Sequence, residues 1–517
     1  MAQVELIQRT NGQQGLAGNA VVARWLPTVF CLLLALVFGL ALPTVMNLPK
    51  TWALLVCLSI GGGFIAVMWL AAGLPLIHIL RFSLLASFWF RMEINLFPIF
   101  KNHAEPPGLN ISLALLLSVL LAANWLSEHW PGTAREPVFP RSFSLALAVV
   151  WLWCCLTVAY GAEGMLGIYA LFSVATSILV CFVTAAHFSE RRLLEQMVVW
   201  LAAVIAFNAL FGIGQALFPA LANFSIGEVA TEETVAVAGE EVSRVRALFA
   251  GSNPFAWTLV LFLPVVIAPL LLRVTSLRRW QHALCAVAAG AAVIVLILTY
   301  SRGSWIAFAL SVPLMTVAAF FMLKGVERRR LLFRFACVTL LVGLLALPFA
   351  GEIVSRLTGD DRGSADSRVQ LIQVALAMIA DNAVLGVGLS GYETVMTRYD
   401  ETPGFITQHF DWPVHNIYLQ IAAETGLPGL LLFLVLAVLA LWRGWLVLRN
   451  ADAEPMQRAL ALGLLTGMVA YLITGLKEGS CFQSGQMRLF FLFCGLLFAC
   501  ERANRRTAGE QRVELFG

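Results

Sequence analysis

The sequence has little charge. Only 12% of its 517 residues are Asp, Glu, Lys or Arg, and 60% are hydrophobic. Because soluble domains carry about 25% charged residues, this composition excludes a soluble globular protein. Uniformly apolar runs such as residues 31–45 recur, at close to the roughly 20 residues with which an α-helix crosses a bilayer. They lack the alternation of apolar and polar residues that marks a membrane β-barrel. The sequence predicts an all-α polytopic membrane protein.

Patterns that would bind a metal are also missing. The ten cysteines contain no CxxC pair, and all but Cys481 lie in apolar runs, so we expect neither a zinc site nor a disulfide framework. The acidic run 360–366 lacks the oxygen spacing of a calcium loop. No basic patch resembles a nucleic-acid surface. We therefore predict no metal, no cofactor and no nucleic-acid partner.

The apolar runs predict about fourteen membrane spans in a single integral membrane domain, which covers residues 1–517. The first run is long enough to span, so we expect it to remain as a helix instead of being a cleaved signal. The predicted limits are residues 25–46, 51–72, 75–93, 109–126, 143–160, 164–186, 195–218, 253–272, 283–300, 304–323, 335–350, 427–446, 459–475 and 486–501.

Loop charge predicts the orientation. Most Lys and Arg residues fall in segments that are cytoplasmic if the N-terminus is inside, so both termini are expected in the cytoplasm. Two loops on the outer face are long, at residues 219–252 and 351–426, and such loops usually have a function or their own structure. In the second, Ser364 or Asp366 can cap a surface helix over residues 369–380. Another short helix is expected from near Pro413 to Gly426.

Arginines on the outer face are unexpected because the positive-inside bias depletes them there. Guanidinium groups bind phosphate oxygens in bidentate fashion and stay protonated. Several that converge at one face therefore make an anion site, although each is also explained as loop charge paired with water, lipid or local acids. Arg302 is the hardest to explain that way, because residues 301–303 leave almost no loop. The outer arginines with this potential are Arg244, Arg246, Arg302, Arg356, Arg362, Arg368 and Arg398.

His415 is the candidate proton acceptor. It stands next to the membrane in the sequence Pro-Val-His-Asn, and a neutral imidazole accepts a proton near neutral pH; a histidine that only caps or packs is the alternative. Glu424 follows about two and a half helical turns later, on a different helix face. We expect Glu424 to orient an arginine or cap a helix, and we place it with Asn416 as a supporting residue.

Four stretches resemble the O-antigen ligase and O-antigen polymerase superfamily of bacterial membrane glycosyltransferases. They are RALFAGSNPFA (246–256), YSRG (300–303), residues 368–388 ending in DNAVLGVG, and HNIYLQIAAETGLPG (415–429). The last is the most specific, because it is similar to the family's HN-x-x-L-x-x-x-x-E-x-G signature. Ala383 stands where the family's D-x-P-x-x-G-x-G turn usually has proline.

The resemblance implies a glycosyltransferase-C-like fold, a large periplasmic loop and a donor glycan carried on undecaprenyl diphosphate. It also implies metal-independent transfer at the periplasmic face of the bacterial inner membrane, to lipid A–core or a growing polysaccharide. Arg302 and Arg368 match the family's diphosphate-binding arginines, and His415 matches its essential histidine. Arg246 matches as a further arginine, although the nearby Arg244 is able to take its place. His415 would then take the acceptor proton or hold the acceptor, and inversion is expected.

The motifs leave the product open. A ligase, a polymerase that joins repeat units and an enzyme that glycosylates proteins fit them equally. A transporter or flippase is the alternative from another class, because transporters place charges in the membrane and are built from related halves. Here only His78 and Arg81 are predicted inside the membrane, and no related halves are visible.

Overall fold

The computed structural model describes residues 76–90, 93–97, 108–128, 136–161, 163–218, 221, 233–237, 240–358, 364–410, 412–479 and 485–516. The chain divides into two compact units, residues 1–83 and 84–517, and only residues 76–83 of the first are described. The predicted spans 25–46 and 51–72, like Arg362 and Cys481, lie outside the described residues.

Most of the described residues are helical. The helices are α1 (Leu76–Ser87), α2 (Leu113–Glu128), α3 (Arg141–Tyr160), α4 (Gly164–His187), α5 (Arg191–Leu217), α6 (Ser252–Leu272), α7 (Arg279–Leu298), α8 (Arg302–Met322), α9 (Gly325–Ala346), α10 (Ala350–Thr358), α11 (Ser364–Asp381), α12 (Tyr392–Val395), α13 (Ile417–Arg449), α14 (Pro455–Thr474) and α15 (Gly485–Phe516). Two antiparallel hairpins join β1 (Glu93–Leu96) to β2 (Leu109–Ser112) and β3 (Thr234–Val237) to β4 (Glu240–Ser243).

The protein is a multi-pass membrane protein. Among the described residues, eight helices are long and apolar enough to cross a membrane, namely α3 to α8, α13 and α14. The count becomes nine if α9 and the helical residues that follow it, bent by 43°, form one span. The predicted number of about fourteen is therefore not confirmed.

Three predicted spans differ from the structure for local reasons. The predicted span 75–93 is only the 12-residue α1. Residues 109–112 of the predicted span 109–126 pair as β2 with β1, which leaves 16 residues for α2. The predicted span 486–501 lies within α15, which continues as a helix to Phe516 and carries charged residues such as Arg502.

The core of the bundle is centred on α6 and α14, which pack against each other. Of their most apolar segments, 83% and 72% respectively are buried, against 28% for α3 and for α8. Gly463 and Gly467 of α14 face the backbone of α6, near Pro264 and Leu261. Small residues four apart allow two helix backbones to approach closely. The helix α8 packs against both α14 and α6 and is thus anchored to this tightly packed centre.

Residues 364–426 have an apolar core of their own. It is shared by α11, α12, the following loop and the start of α13, through Leu371, Val374, Met378, Tyr392, Met396, Ile406, Val414 and Ala423. The predicted helix 369–380 is confirmed within the longer α11. This segment is consequently an ordered structure that holds α11 against α13.

The second predicted helix begins later than expected. It starts at Ile417 and not near Pro413, because Asn416 is its N-cap and the Asn416 side chain accepts hydrogen bonds from the amides of Tyr418 (3.0 Å) and Leu419 (3.1 Å). As predicted, the helical conformation is interrupted at Gly426, whose φ is 73°. The chain then continues as the rest of α13.

Candidate functional site

Two of the sequence motifs are joined by their backbones. The amides of Val387 and Gly388 donate to the carbonyls of Ala423 (2.9 Å) and Glu424 (3.1 Å), and the amide of Leu427 donates to the carbonyl of Ala383 (2.8 Å). We call this structure, residues 383–391 with residues 423–427, the glycine clamp. It fixes the end of α11 to the point where α13 is interrupted.

Glycine is required at several positions of the glycine clamp, and two of them lie where its two segments meet. Gly386 and Gly426 have φ values of 69° and 73°, in the left-handed region that residues with a Cβ adopt only at a cost. A Cβ on Gly386 would overlap the backbone carbonyl of Glu424, and one on Gly426 would overlap the carbonyl oxygen of Val384. Conformation and close approach both exclude a side chain.

The Glu424 side chain completes the glycine clamp. It is 2% exposed, and its carboxylate accepts hydrogen bonds from the amide of Ser390 (2.8 Å) and from Nε2 of Gln420 (3.2 Å). Ser390 has a φ of 60°, an uncommon conformation that persists where the surroundings enforce it. These bonds give Glu424 a structural role in the turn after Gly388.

The junction between α7 and α8 carries Arg302. Tyr300 has a φ of 51°, Ser301 is the N-cap, and Arg302 is the first residue of α8. The Tyr300 hydroxyl donates to the carboxylate of Glu352 on α10. Burial, together with Glu352, raises the pKa of Tyr300. The bond ties the junction to the helix that carries Arg356.

Arg244 lies between β4 and α6 and is held from three sides. Its Nε donates to the carbonyl of Thr299 (2.9 Å), its Nη2 donates to Oδ1 of Asn253 (2.7 Å), and its Nη1 forms an ion pair with Glu233 (3.5 Å). Thr299 immediately precedes the junction described above. Arg244 therefore connects the predicted outer loop 219–252 to the start of α8.

Arg246 is placed differently. It is only 2% exposed, and the chain beside it is fixed by Gln215 of α5. The Gln215 side chain bonds both the carbonyl of Ala247 (2.9 Å) and the amide of Ala247 (2.8 Å). The side chain of Arg246 is thus part of the interior, whereas Arg244 is the arginine of this segment that bridges to the junction.

Residues 475–479, which follow α14, lie between the junction and His415. The carbonyl of Gly475 accepts from the amide of Ile417 (2.9 Å). A Cβ on Gly303 would lie 3.3 Å from Cδ of Lys477. A Cβ on Gly479 would lie 2.6 Å from the carbonyl oxygen of Val414 and 3.5 Å from Cα of His415. Glu478 therefore occupies the short link between these two contacts.

Burial and neighbouring charges shift the pKa values of Glu478 and His415. Burial raises the pKa of Glu478 to about 7, and Arg368, Arg244 and Lys477 pull it in the opposite direction. Burial and the Arg368 guanidinium lower the pKa of His415 to about 4. Arg368 thus acts electrostatically on both the histidine and the carboxylate.

Arg356 joins this group from α10. The pKa of Arg244 is lowered first by burial and further by Arg356, against the opposite effects of Glu233 and Glu478. We call Arg244, Arg356, Arg368 and Lys477 the cation cluster. Its members come from four separate parts of the chain.

The structure brings part of the predicted site together. Arg368 lies within electrostatic reach of His415, and Arg302 opens α8 next to Gly303, which contacts Lys477. Arg246 is buried beside Gln215, Asn416 caps α13, and Glu424 belongs to the glycine clamp.

Sequence reasoning did not assign Lys477 or Glu478 to the site. One signal was available, since Lys477 is a basic residue on the predicted outer face, directly after an apolar span. Glu478 gave none, because one acidic residue beside it forms no motif. Within the described ranges, no group of three His, Cys, Asp or Glu residues is arranged to hold a metal ion. Metal independence stays a prediction.

Comparison with known proteins supports the resemblance. Residues 286–434 match the family model described as O-antigen ligase, a match that supports the O-antigen ligase and polymerase superfamily. No curated protein matches the chain. A chain of the solved structure titled "Structural coordination of polymerization and crosslinking by a peptidoglycan synthase complex" is similar at 16% identity, with a TM-score of 0.36, over 71% of this chain and 98% of that one.

Proposed function

From the O-antigen ligase match at residues 286–434, we propose that this chain is a membrane glycosyltransferase of the O-antigen ligase type. Its donor is a glycan on undecaprenyl diphosphate, and its acceptor is a hydroxyl of lipid A–core or of a growing polysaccharide. The reaction takes place at the periplasmic face of the bacterial inner membrane, without a metal ion. Polymerisation of repeat units by the same site is the alternative within this superfamily.

The observation that carries the proposal is the convergence of the cation cluster beside His415. Arg368 and Arg244 both act on Glu478, and residues 475–479 join His415 to the start of α8. Cations from separate segments meeting in one place suit a multivalent anion, and guanidinium groups suit phosphate oxygens in particular.

A diphosphate leaving group needs this charge. As the bond between the anomeric carbon and the diphosphate oxygen breaks, its electron pair moves to that oxygen, which gains negative charge. Preorganised cations in a site that excludes water stabilise such charge strongly. We assign this role to Arg302 and Arg368, with Arg246 or the better placed Arg244 as support.

His415 handles the acceptor. With a pKa of about 4, the imidazole is neutral at neutral pH and is able to accept a hydrogen bond or a proton. In the proposed step the acceptor oxygen bonds to the anomeric carbon from the face opposite the diphosphate, and its proton passes to His415. A diphosphate bound at Arg368 offsets the guanidinium charge and raises the pKa of His415, which strengthens it as a base.

A small apolar recess offers a contact for part of the lipid tail. It lies between α3, α4, α13 and α15 and is lined by apolar side chains that include Val150, Ile421, Phe433 and Phe491. The Trp153 indole, also in this recess, donates to the carbonyl of Thr425 in the glycine clamp (2.8 Å). This small recess would contact only a short part of a polyprenyl chain, and the rest of the chain would lie in the bilayer while its diphosphate reaches the outer face.

The test is transfer by the purified protein in proteoliposomes, with an undecaprenyl-diphosphate-linked glycan as donor and lipid A–core as acceptor. We expect release of undecaprenyl diphosphate and a glycosylated acceptor, both insensitive to EDTA and both lost in Arg302→Ala, Arg368→Ala and His415→Ala. Longer glycan chains without attachment to lipid A–core would identify a polymerase. Unchanged transfer by all three variants would overturn the site, and no diphosphate release by the wild type would overturn the function.

A further inference from the structure

Glu478 is an acidic residue in the middle of a site proposed to bind an anion. A carboxylate there weakens the attraction for diphosphate unless its charge changes during the reaction cycle. It also comes from residues 475–479, which none of the family motifs include. Both points set it apart from the residues already assigned.

Contacts on both sides fix the position of Glu478. Lys477, just before it, packs against Gly303 at the start of α8, beside Arg302. Gly479, just after it, packs against the backbone of Val414 and His415. The backbone of Glu478 thus lies between the two places where the proposed function puts the diphosphate and the acceptor.

The charges that face Glu478 are predominantly positive. Arg368 of α11, Arg244 of the segment before α6 and Lys477 of its own segment act on it directly. Arg302 and His415 belong to the two elements packed against its neighbours, and Arg356 and Glu233 act on Arg244. Arg244 already pairs with Glu233 (3.5 Å), whereas Glu478 acts on both Arg244 and Arg368 and so reduces the repulsion between them.

We propose that Glu478 is the internal counter-ion of the cation cluster, a positioning residue that offsets the charge of Arg368 and Arg244 in the resting protein and gives way to the donor diphosphate. The proposal rests on the proposed function. When the diphosphate binds, it offsets the charge of both arginines in place of the carboxylate. Glu478 is then left beside a multivalent anion, where its charged form is disfavoured, and it takes up a proton. When the product leaves, Glu478 loses that proton and again offsets the charge of the arginines.

This exchange couples binding to pH with a definite sign. Because the pKa of Glu478 is about 7 before binding and rises on binding, diphosphate binding takes up a proton above neutral pH. Affinity therefore falls as pH rises, and the effect is absent when Glu478 already carries a proton. Glu478→Gln, a neutral isostere, should bind the diphosphate tightly at every pH.

The experiment measures the dissociation constant of undecaprenyl diphosphate for the full chain in nanodiscs from pH 6 to pH 8. The wild type and Glu478→Gln should bind about equally at pH 6, and the wild type should bind about tenfold more weakly at pH 8. The probe's terminal phosphate titrates with a pKa of about 6, but it is common to all variants, so the ratio of the two constants isolates Glu478.

Three further variants separate the possible outcomes. Glu401→Gln, a matched change at an exposed glutamate, should follow the wild type, and Glu478→Asp, which keeps the charge, should retain the pH dependence. Arg368→Ala should bind weakly throughout. In transfer assays Glu478→Gln should lower KM and also kcat, because the product is retained.

The counter-ion role of Glu478 would be overturned by a ratio of dissociation constants that does not change with pH, or by weaker binding of Glu478→Gln than of the wild type. The proposed function would remain intact in either case if Arg368→Ala still loses binding. No saturable binding by the wild type, or binding by Arg368→Ala equal to the wild type, would overturn the proposed function and the counter-ion with it.

Discussion

The glycine clamp and the cation cluster are held together in different ways. The glycine clamp depends on backbone hydrogen bonds between residues 383–391 and 423–427, and on the positive φ angles of Gly386, Gly388, Ser390 and Gly426. The cation cluster depends on side-chain charge brought from α10, α11 and the segments beside α6 and α14. One region is defined by shape and the other by electrostatics.

The difference divides the most specific motif of the sequence. In residues 415–429, His415 belongs with the cation cluster, whereas Glu424 and Gly426 belong to the glycine clamp. This motif thus contains a residue with a proposed chemical role, His415, and residues with a structural role, Glu424 and Gly426. Substitutions should separate the two, since the first kind should change turnover and the second kind should change folding.

The largest effect is expected for Gly426→Ala. A Cβ there would overlap the carbonyl oxygen of Val384 in a backbone conformation with φ of 73°, and left-handed strain alone costs about 1–3 kcal/mol. We expect a large fall in the melting temperature and in the yield of folded protein, measured by thermal unfolding in detergent. Gly404→Ala is the matched control, because nothing lies within 4 Å of that Cβ. Equal melting temperatures for the two variants would disprove the glycine clamp.

Arg368→Ala should have the next largest effect, on activity alone. Removing one group that stabilises transition-state charge typically costs about 10²–10³-fold in kcat, and the melting temperature should stay near that of the wild type. Arg368→Lys should recover part of this loss, since lysine supplies charge without the bidentate geometry. Arg398→Ala, at an exposed arginine of the same segment, should transfer glycan normally. A large loss of stability in Arg368→Ala would show that Arg368 also supports the fold, which would contradict the separation between the glycine clamp and the cation cluster.

Glu424→Gln is a smaller perturbation of the glycine clamp. The variant keeps the size of the side chain but replaces one acceptor oxygen with a donor that faces the amide of Ser390 or the amide group of Gln420. Unmatched buried polar groups cost about 1–3 kcal/mol. We expect a moderate fall in melting temperature, with kcat of the folded fraction nearly unchanged. A variant with wild-type stability and no turnover would instead make Glu424 part of the chemistry.

Tyr300→Phe should have the smallest effect. It tests the connection between the start of α8 and α10. It removes the hydrogen bond to Glu352, which ties the start of α8 to α10. A hydrogen bond to a charged group contributes about 1.5–3 kcal/mol, and because Glu352 is only partly buried we expect a loss near the lower end of that range. We expect a severalfold rise in KM for the donor with little change in kcat. An unchanged KM would show that α10 positions Arg356 without this bond.

The sequence predicted α11 and the interruption at Gly426 because both have local signals. A capping residue and an apolar stretch mark the helix, and a glycine marks the break. It predicted the start of α13 wrongly, since Pro413 looked like the first turn but Asn416 provides the cap. It also overestimated the lengths of α1 and α2. For α2 the reason is that apolar composition does not reveal that residues 109–112 pair with β1.

By itself the sequence determined the membrane class, through apolar runs without charge, and it marked Arg302, Arg368 and His415 through residue type and motif. The tertiary structure decided which charges meet. Arg244, Arg368 and Glu478 are far apart in the chain and share no periodicity, so their mutual effect arises only from tertiary packing, in which α14 packs against α8 and α13, and α11 packs against α13. Electrostatic coupling depends on distance in space and on burial, and neither quantity is encoded in a local stretch of residues.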